Sequence, residues 1–176
     1  MDMITSLALI IGIMGGIATW AAITIGSPYL LIWTIFVAWG SFYHCGGKEA
    51  GLKSSAVANI WGVICAVVAL IALTSIGVTA LMAGICVGVS IIVLITGAKI
   101  PALSAIPAAV YGYASTAALF LLGGASYGEG SGGIVKVGVA IAVSLLVGNL
   151  LGYVSEKIVG SVVKTSGDIS KDQRTA

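Results

Sequence analysis

The sequence predicts an all-α, polytopic integral membrane protein with six transmembrane helices. Three observations predict it. Hydrophobic residues make up 59% of the 176-residue chain and charged residues only 8%, against about 25% charged in a soluble domain. The apolar runs are long and do not alternate with polar residues, and they approach the roughly 20 residues a helix needs to cross a bilayer. The few cations gather in segments that share one side of the membrane once six spans are drawn.

The spans follow in order. The first runs from about Ile4 to Ile25 and ends at Gly26-Ser27-Pro28. Asp2 is the only charge before it, so it reads as a retained helix and not as a signal peptide, which would open with cations. Span two runs from Pro28, which suits a first helical turn, to Cys45, and Gly46-Gly47 stops it. Span three covers Ser54 to Thr74 and span four Val78 to Thr96. A break at Gly97 to Pro101 precedes span five, Ala102 to Leu122, with Pro107 inside it as an expected kink. Gly123 to Gly133 reads as a flexible polar loop. Span six runs from Ile134 to about Ser155, and Glu156 to Lys164 can prolong it as a solvated helix end. The division expected is a transmembrane domain over 1–160 and a short polar tail over 161–176, disordered from Gly167 onward.

Lys48, Lys53, Lys99, Lys157, Lys164, Lys171 and Arg174 fall on the side that holds both termini, and Lys136 alone falls opposite. The positive-inside rule therefore predicts cytoplasmic termini. The cations mark helix ends without interleaved aromatics, so nucleic acid is not an expected partner; the bilayer is. Cys65 and Cys86 lie in apolar runs and Cys45 at a helix end, which gives neither a disulfide pattern nor a metal site. With one histidine, no carboxylate inside a span and no nucleophile or phosphate-loop motif, neither an enzyme nor a cofactor is expected.

The deepest polar residues are Asn59 and Asn149. Each either lines a pore and bonds a passing solute or bonds across helices as packing glue. They stand in similar contexts, Asn59-Ile60-Trp61-Gly62 and Asn149-Leu150-Leu151-Gly152. Trp39-Gly40 in span two and Tyr111-Gly112 in span five form a second matching pair. These are faint signs of a 3+3 inverted repeat, as in many transporters. Trp39, Phe42 and Tyr43 share a helix face and form either an aromatic constriction or ordinary packing. Trp39, Tyr111, Ser104 and Pro107 complete the candidate pore lining, and His44 is a candidate pH sensor. Gly12/Gly16, Gly84/Gly88 and Gly148/Gly152 are small-residue seams for close helix crossings within or between protomers.

Leu103-Ser104-Ala105-Ile106-Pro107 followed by Gly112, Gly51-Leu52-Lys53 opening span three, and Gly152-Tyr153 closing span six resemble the YcdZ-like bacterial inner-membrane family (domain of unknown function 1097). The resemblance covers about Ile10 to Tyr153, departs at the longer Ser126 to Gly133 loop, and implies a bacterial inner membrane without assigning functional residues. The expectation from the residues is a channel or facilitator for a small uncharged solute, assembled as a homo-oligomer. The alternatives are a secondary transporter, a non-transporting scaffold or partner subunit and, third, an intramembrane enzyme.

Overall fold

The computed structural model describes residues 2–163 with their side chains and assigns the backbone of the last helix to Thr175. The disorder expected from Gly167 onward lies outside the residues described in full. Six α-helices follow in order: α1 (Met3–Ile25), α2 (Ile32–His44), α3 (Lys48–Ile76), α4 (Ala80–Gly97), α5 (Ile106–Gly123) and α6 (Gly130–Thr175). Five are long and apolar enough to cross a membrane, and α2 is not among them. Its 13 residues span about 20 Å at 1.5 Å per residue, short of the roughly 30 Å hydrocarbon core.

Two boundaries differ from expectation for one reason. The apolar lead-in Pro28–Leu31 is not helical, and neither is Ser104–Ala105, which follows a short 3-10 turn at Pro101–Leu103. Pro107 therefore sits in the first turn of α5. Its missing N–H costs nothing there, so it starts the helix and does not kink it.

Gly26 closes α1 in the left-handed conformation, its N–H returning to the Ala22 carbonyl. Between α2 and α3 the chain reverses through Gly46, Gly47 and Lys48, all at positive φ. Lys48 is the only non-glycine in that region among the described residues. Its N–H donates to Glu156 Oε2 at 2.7 Å, which ties the turn to α6 and offsets the local strain. A Cβ at Gly47 would press on the same carboxylate.

The core is made of α2, α3, α5 and α6; α1 leans on α6, and α4 on α3. Lipid supplies no hydrophobic drive between helices, so close contact needs small residues. The Gly62 backbone meets the Ala109 carbonyl, Gly112 meets Asn59, Gly148 meets Ile35 and Gly152 meets the Phe42 ring, with no room for a methyl at any of the four. Of the three expected seams, Gly148/Gly152 is thus an internal crossing. Gly12, Gly16, Gly84 and Gly88 face open space.

The partners also follow the pattern of an inverted repeat. α3 packs chiefly on α5 and α6 on α2, while α1 and α4 play matching outer roles. α3 and α6 run antiparallel: Lys48 meets Glu156 at one end, Asn59 meets Asn149 in the middle, and Val67 meets Gly138 at the other. Asn59 and Asn149 are 90 positions apart, and the same shift carries Lys48 onto Gly138 and Ala66 onto Glu156. The contacts at the two ends of the pair are therefore counterparts to within one residue, as a pseudo-two-fold axis through the asparagines requires.

Candidate functional site: a cleft above a buried polar chain

Asn59 and Asn149 are 0% and 1% exposed, within reach of neither lipid nor water. Asn149 Nδ2 donates to Asn59 Oδ1 at 2.8 Å and to the Leu145 carbonyl at 2.9 Å. Asn59 Nδ2 donates to the Ala108 carbonyl at 2.8 Å and, more weakly, to Ser41 Oγ at 3.4 Å. Ser41 and Ser55 share a hydrogen bond of 2.7 Å, and the Ser55 hydroxyl reaches Asn59 Oδ1 at 3.3 Å. One polar chain thus joins α2, α3, α5 and α6 at the centre of the molecule. It is not fully paired: Asn149 Oδ1 is buried without a partner, as is Thr34 Oγ1 elsewhere in α2. A bare acceptor in a dry interior costs free energy, so Asn149 Oδ1 is a group in need of a donor.

The chain continues toward the Lys48 end through Cys45. Its thiol lies beside Ser41, Ser54 and Ser55. Cys45 also lines a cavity of about 470 Å³ with His44, Gly46, Ser54, Ser104, Ala105 and Pro107. Among the described residues, no Asp, Glu, Lys or Arg is on its wall. Ser54 also borders a neighbouring cavity of about 370 Å³ that includes Lys53, Pro101 and Ala102.

Of the residues singled out in the sequence, the cleft unites His44, Ser104 and Pro107, and Tyr111 joins them through its hydroxyl, 3.0 Å from His44 Nδ1. The Asn59–Asn149 pair is on the wall of neither this cleft nor the neighbouring cavity. Trp39 belongs to packing between α2 and α6: it is buried, donates from Nε1 to Ser155 Oγ at 3.0 Å and stacks on Phe36. Tyr43 reaches the same serine at 2.8 Å, and Phe42 is fully buried against Tyr43 and Tyr153.

A family model described as "Protein of unknown function (DUF1097)" matches residues 8–160. The chain belongs to the DUF1097 family. No curated protein and no solved structure matches it. The matched stretch contains the cleft and the polar chain.

Sequence reasoning overlooked Ser41, Cys45, Ser54, Ser55, Tyr127 and Ser144. A signal for Ser54 and Ser144 was present: Ser54, Val57, Asn59 and Gly62 recur in order as Ser144, Val147, Asn149 and Gly152. Tyr127 lies in the segment read as a flexible loop. Its ring is 9% exposed and its hydroxyl donates to the Pro28 carbonyl.

Proposed function

We propose that this DUF1097 protein is a facilitator that carries a small uncharged polar solute across a bacterial inner membrane, and is not an enzyme. The observation that carries the reading is the cleft itself. Among the described residues its wall carries hydroxyl, thiol and imidazole groups and no Asp, Glu, Lys or Arg, and its Cys45 lies beside Ser41 and Ser55, members of a hydrogen-bonded chain that ends in an acceptor without a donor. A lining of this kind selects by width and hydrogen bonding and gives an ion no counter-charge. A solute that donates hydrogen bonds matches what the chain lacks. The buried asparagine pair stands between the cleft and the far side, so passage needs a conformational step and not an open pore.

The charge distribution supports an orientation with both termini and the cleft toward the cytoplasm. The uncovered Gly84–Gly88 face of α4 supports a homo-oligomer, to be measured as particle mass by light scattering.

The test is solute entry into liposomes that hold the purified protein, read by osmotic swelling with glycerol and urea as probes. Ser104→Leu should fill the cleft and cut entry to the protein-free rate while the protein stays folded. Asn59→Leu should slow entry more than its loss of folded protein accounts for. Rates equal to protein-free liposomes for both solutes with the unaltered chain would overturn the reading in favour of a scaffold or partner subunit. An unchanged rate in Ser104→Leu would remove the cleft from the path.

A further inference from the structure

The matched residues at the two ends of the repeat are in different states. At the Tyr127 end, Ser144 Oγ accepts the Leu31 N–H at 2.9 Å and shares its own proton between the Tyr29 and Ala140 carbonyls, at 3.1 and 2.9 Å. The Tyr127 hydroxyl donates to the Pro28 carbonyl, and its ring meets Tyr29 edge-on at 6.3 Å. The non-helical lead-in to α2 is thereby bonded down onto α6 and the 3-10 turn Gly124–Tyr127. At the Lys48 end the counterpart of Ser144 is Ser54. It stands on the cleft wall with Ser104, Ala105 and Pro107, the lead-in and first turn of α5. Leu31 and Ala105 hold the same place at the starts of α2 and α5: each is the N-cap of its helix, and neither caps it with its own side chain. One end is latched and the other is open.

We propose that the protein is a reciprocating carrier whose two ends exchange these states. In the second state Ser54 Oγ accepts the Ala105 N–H and closes the cleft. Ser144 and Tyr127 then release Pro28–Leu31, and a vestibule opens at the opposite face. The two arrangements use the same bond types on matched residues, so few interactions separate them in free energy, as inverted repeats require for alternating access. Non-helical backbone at membrane depth persists only where protein or a water-filled cavity satisfies it. Each lead-in meets one of these conditions here, the α2 segment bonded to protein and the α5 segment beside a cavity. The Asn59–Asn149 bond lies on the pseudo-axis and belongs to both states. This inference rests on the facilitator reading for solute movement, but its conformational content can be measured without any solute.

The experiment places one reporter cysteine at a time, Leu31→Cys or Ala105→Cys, in a chain whose three native cysteines are alanine. The readout is the labelling rate by a hydrophilic maleimide in permeabilised vesicles. Ser144→Ala and Tyr127→Phe each remove a latch bond. Each should speed labelling at position 31 and slow it at position 105, by about fivefold for one hydrogen bond. Ser54→Ala makes no bond to the α5 lead-in in this state, so the fold keeps its contacts, and it should shift both rates the opposite way. Reciprocal changes of opposite sign support the carrier even if neither glycerol nor urea crosses; in that event the facilitator reading fails alone. Faster labelling at position 31 with position 105 unmoved would overturn the exchange, because the ends would then open independently. Solute entry together with that result would describe a channel.

Discussion

The asparagine pair can be weighed by a double-mutant cycle. Asn59→Leu removes two short bonds, to the Ala108 carbonyl and from Asn149 Nδ2, both 2.8 Å. It also leaves one of the two Asn149 Nδ2 protons without its acceptor, while the other keeps the Leu145 carbonyl and Ser41 and Ser55 keep each other. Interhelical hydrogen bonds in membranes contribute about 0.6 kcal/mol on average and up to about 1.7. Asn59→Leu should therefore cost about 1–3 kcal/mol. Asn149→Leu loses the same shared bond and an intrahelical one, but it also removes the unpartnered Oδ1, so about 0–1.5 kcal/mol is expected. The double variant should cost less than the sum of the two, by the worth of the shared bond, about 0.6–1.7 kcal/mol. The assay is the unfolding equilibrium in mixed micelles, followed for the unaltered chain, both single variants and the double variant. Additivity within about 0.3 kcal/mol would mean that the bond carries no net stability, and the argument that the pair ties the two halves together would be wrong.

Other expectations follow from the same packing and topology. Gly62→Ala must push the Ala109 carbonyl away and should destabilise by about 1–3 kcal/mol, whereas Gly160→Ala meets open space and should be neutral or slightly stabilising, as thermal melting will report. In the cysteine-free chain, Ser131→Cys should react with an impermeant maleimide added to intact cells and Ser170→Cys only after permeabilisation; equal labelling of both from outside would refute the six-crossing topology. Asp2 caps α1, and the hydroxyl and N–H of Thr5 hold its carboxyl below the usual 3.8. A lowered acid pKa stabilises above the unfolded value and is lost as pH falls through the folded one. The Thr5 amide should therefore exchange faster below about pH 3.8, and Asp2→Asn should flatten that dependence.

Hydropathy exposed the long helices because each buries its own backbone, and a run such as that of α3 needs no partner to be helical. It misjudged α2 because Pro28–Leu31 is apolar yet unwound, and hydropathy does not register backbone conformation. The groups that make the unwinding tolerable, Ser144 and Tyr127, lie more than 90 residues away. Tyr127 was hidden for the same reason, as a glycine-rich neighbourhood looks like solvent-exposed loop until the residue it bonds is known. The asparagines were legible because a deep amide must find a partner. That they would find each other followed only from the repeat, and the repeat was visible at α3 and α6 and obscure elsewhere. The pairing of Gly40 with Gly112 does not extend to their surroundings: Gly112 lies against Asn59, while Gly40 faces open space.

The glycines explain why the polar chain sits where it does. Gly62, Gly112 and Gly148 bring backbones so close that no methyl fits between them, Gly152 does the same against the Phe42 ring, and the amides of Asn59 and Asn149 lie among these crossings. Close crossings fix helix axes but not rotation or register, since van der Waals contact between small residues is similar at neighbouring settings. A directional bond between amides selects one setting. Placed on the pseudo-axis, it restrains both halves equally and favours neither end. Elements that discriminate between the ends must lie off the axis. In this chain they are the serine hydroxyls on α3 and α6 and the non-helical lead-ins they face, where one end is bonded and the other open. Centre and ends thus divide the work. In the carrier proposed, the asparagines hold the crossing, and the serines decide which side of it is accessible.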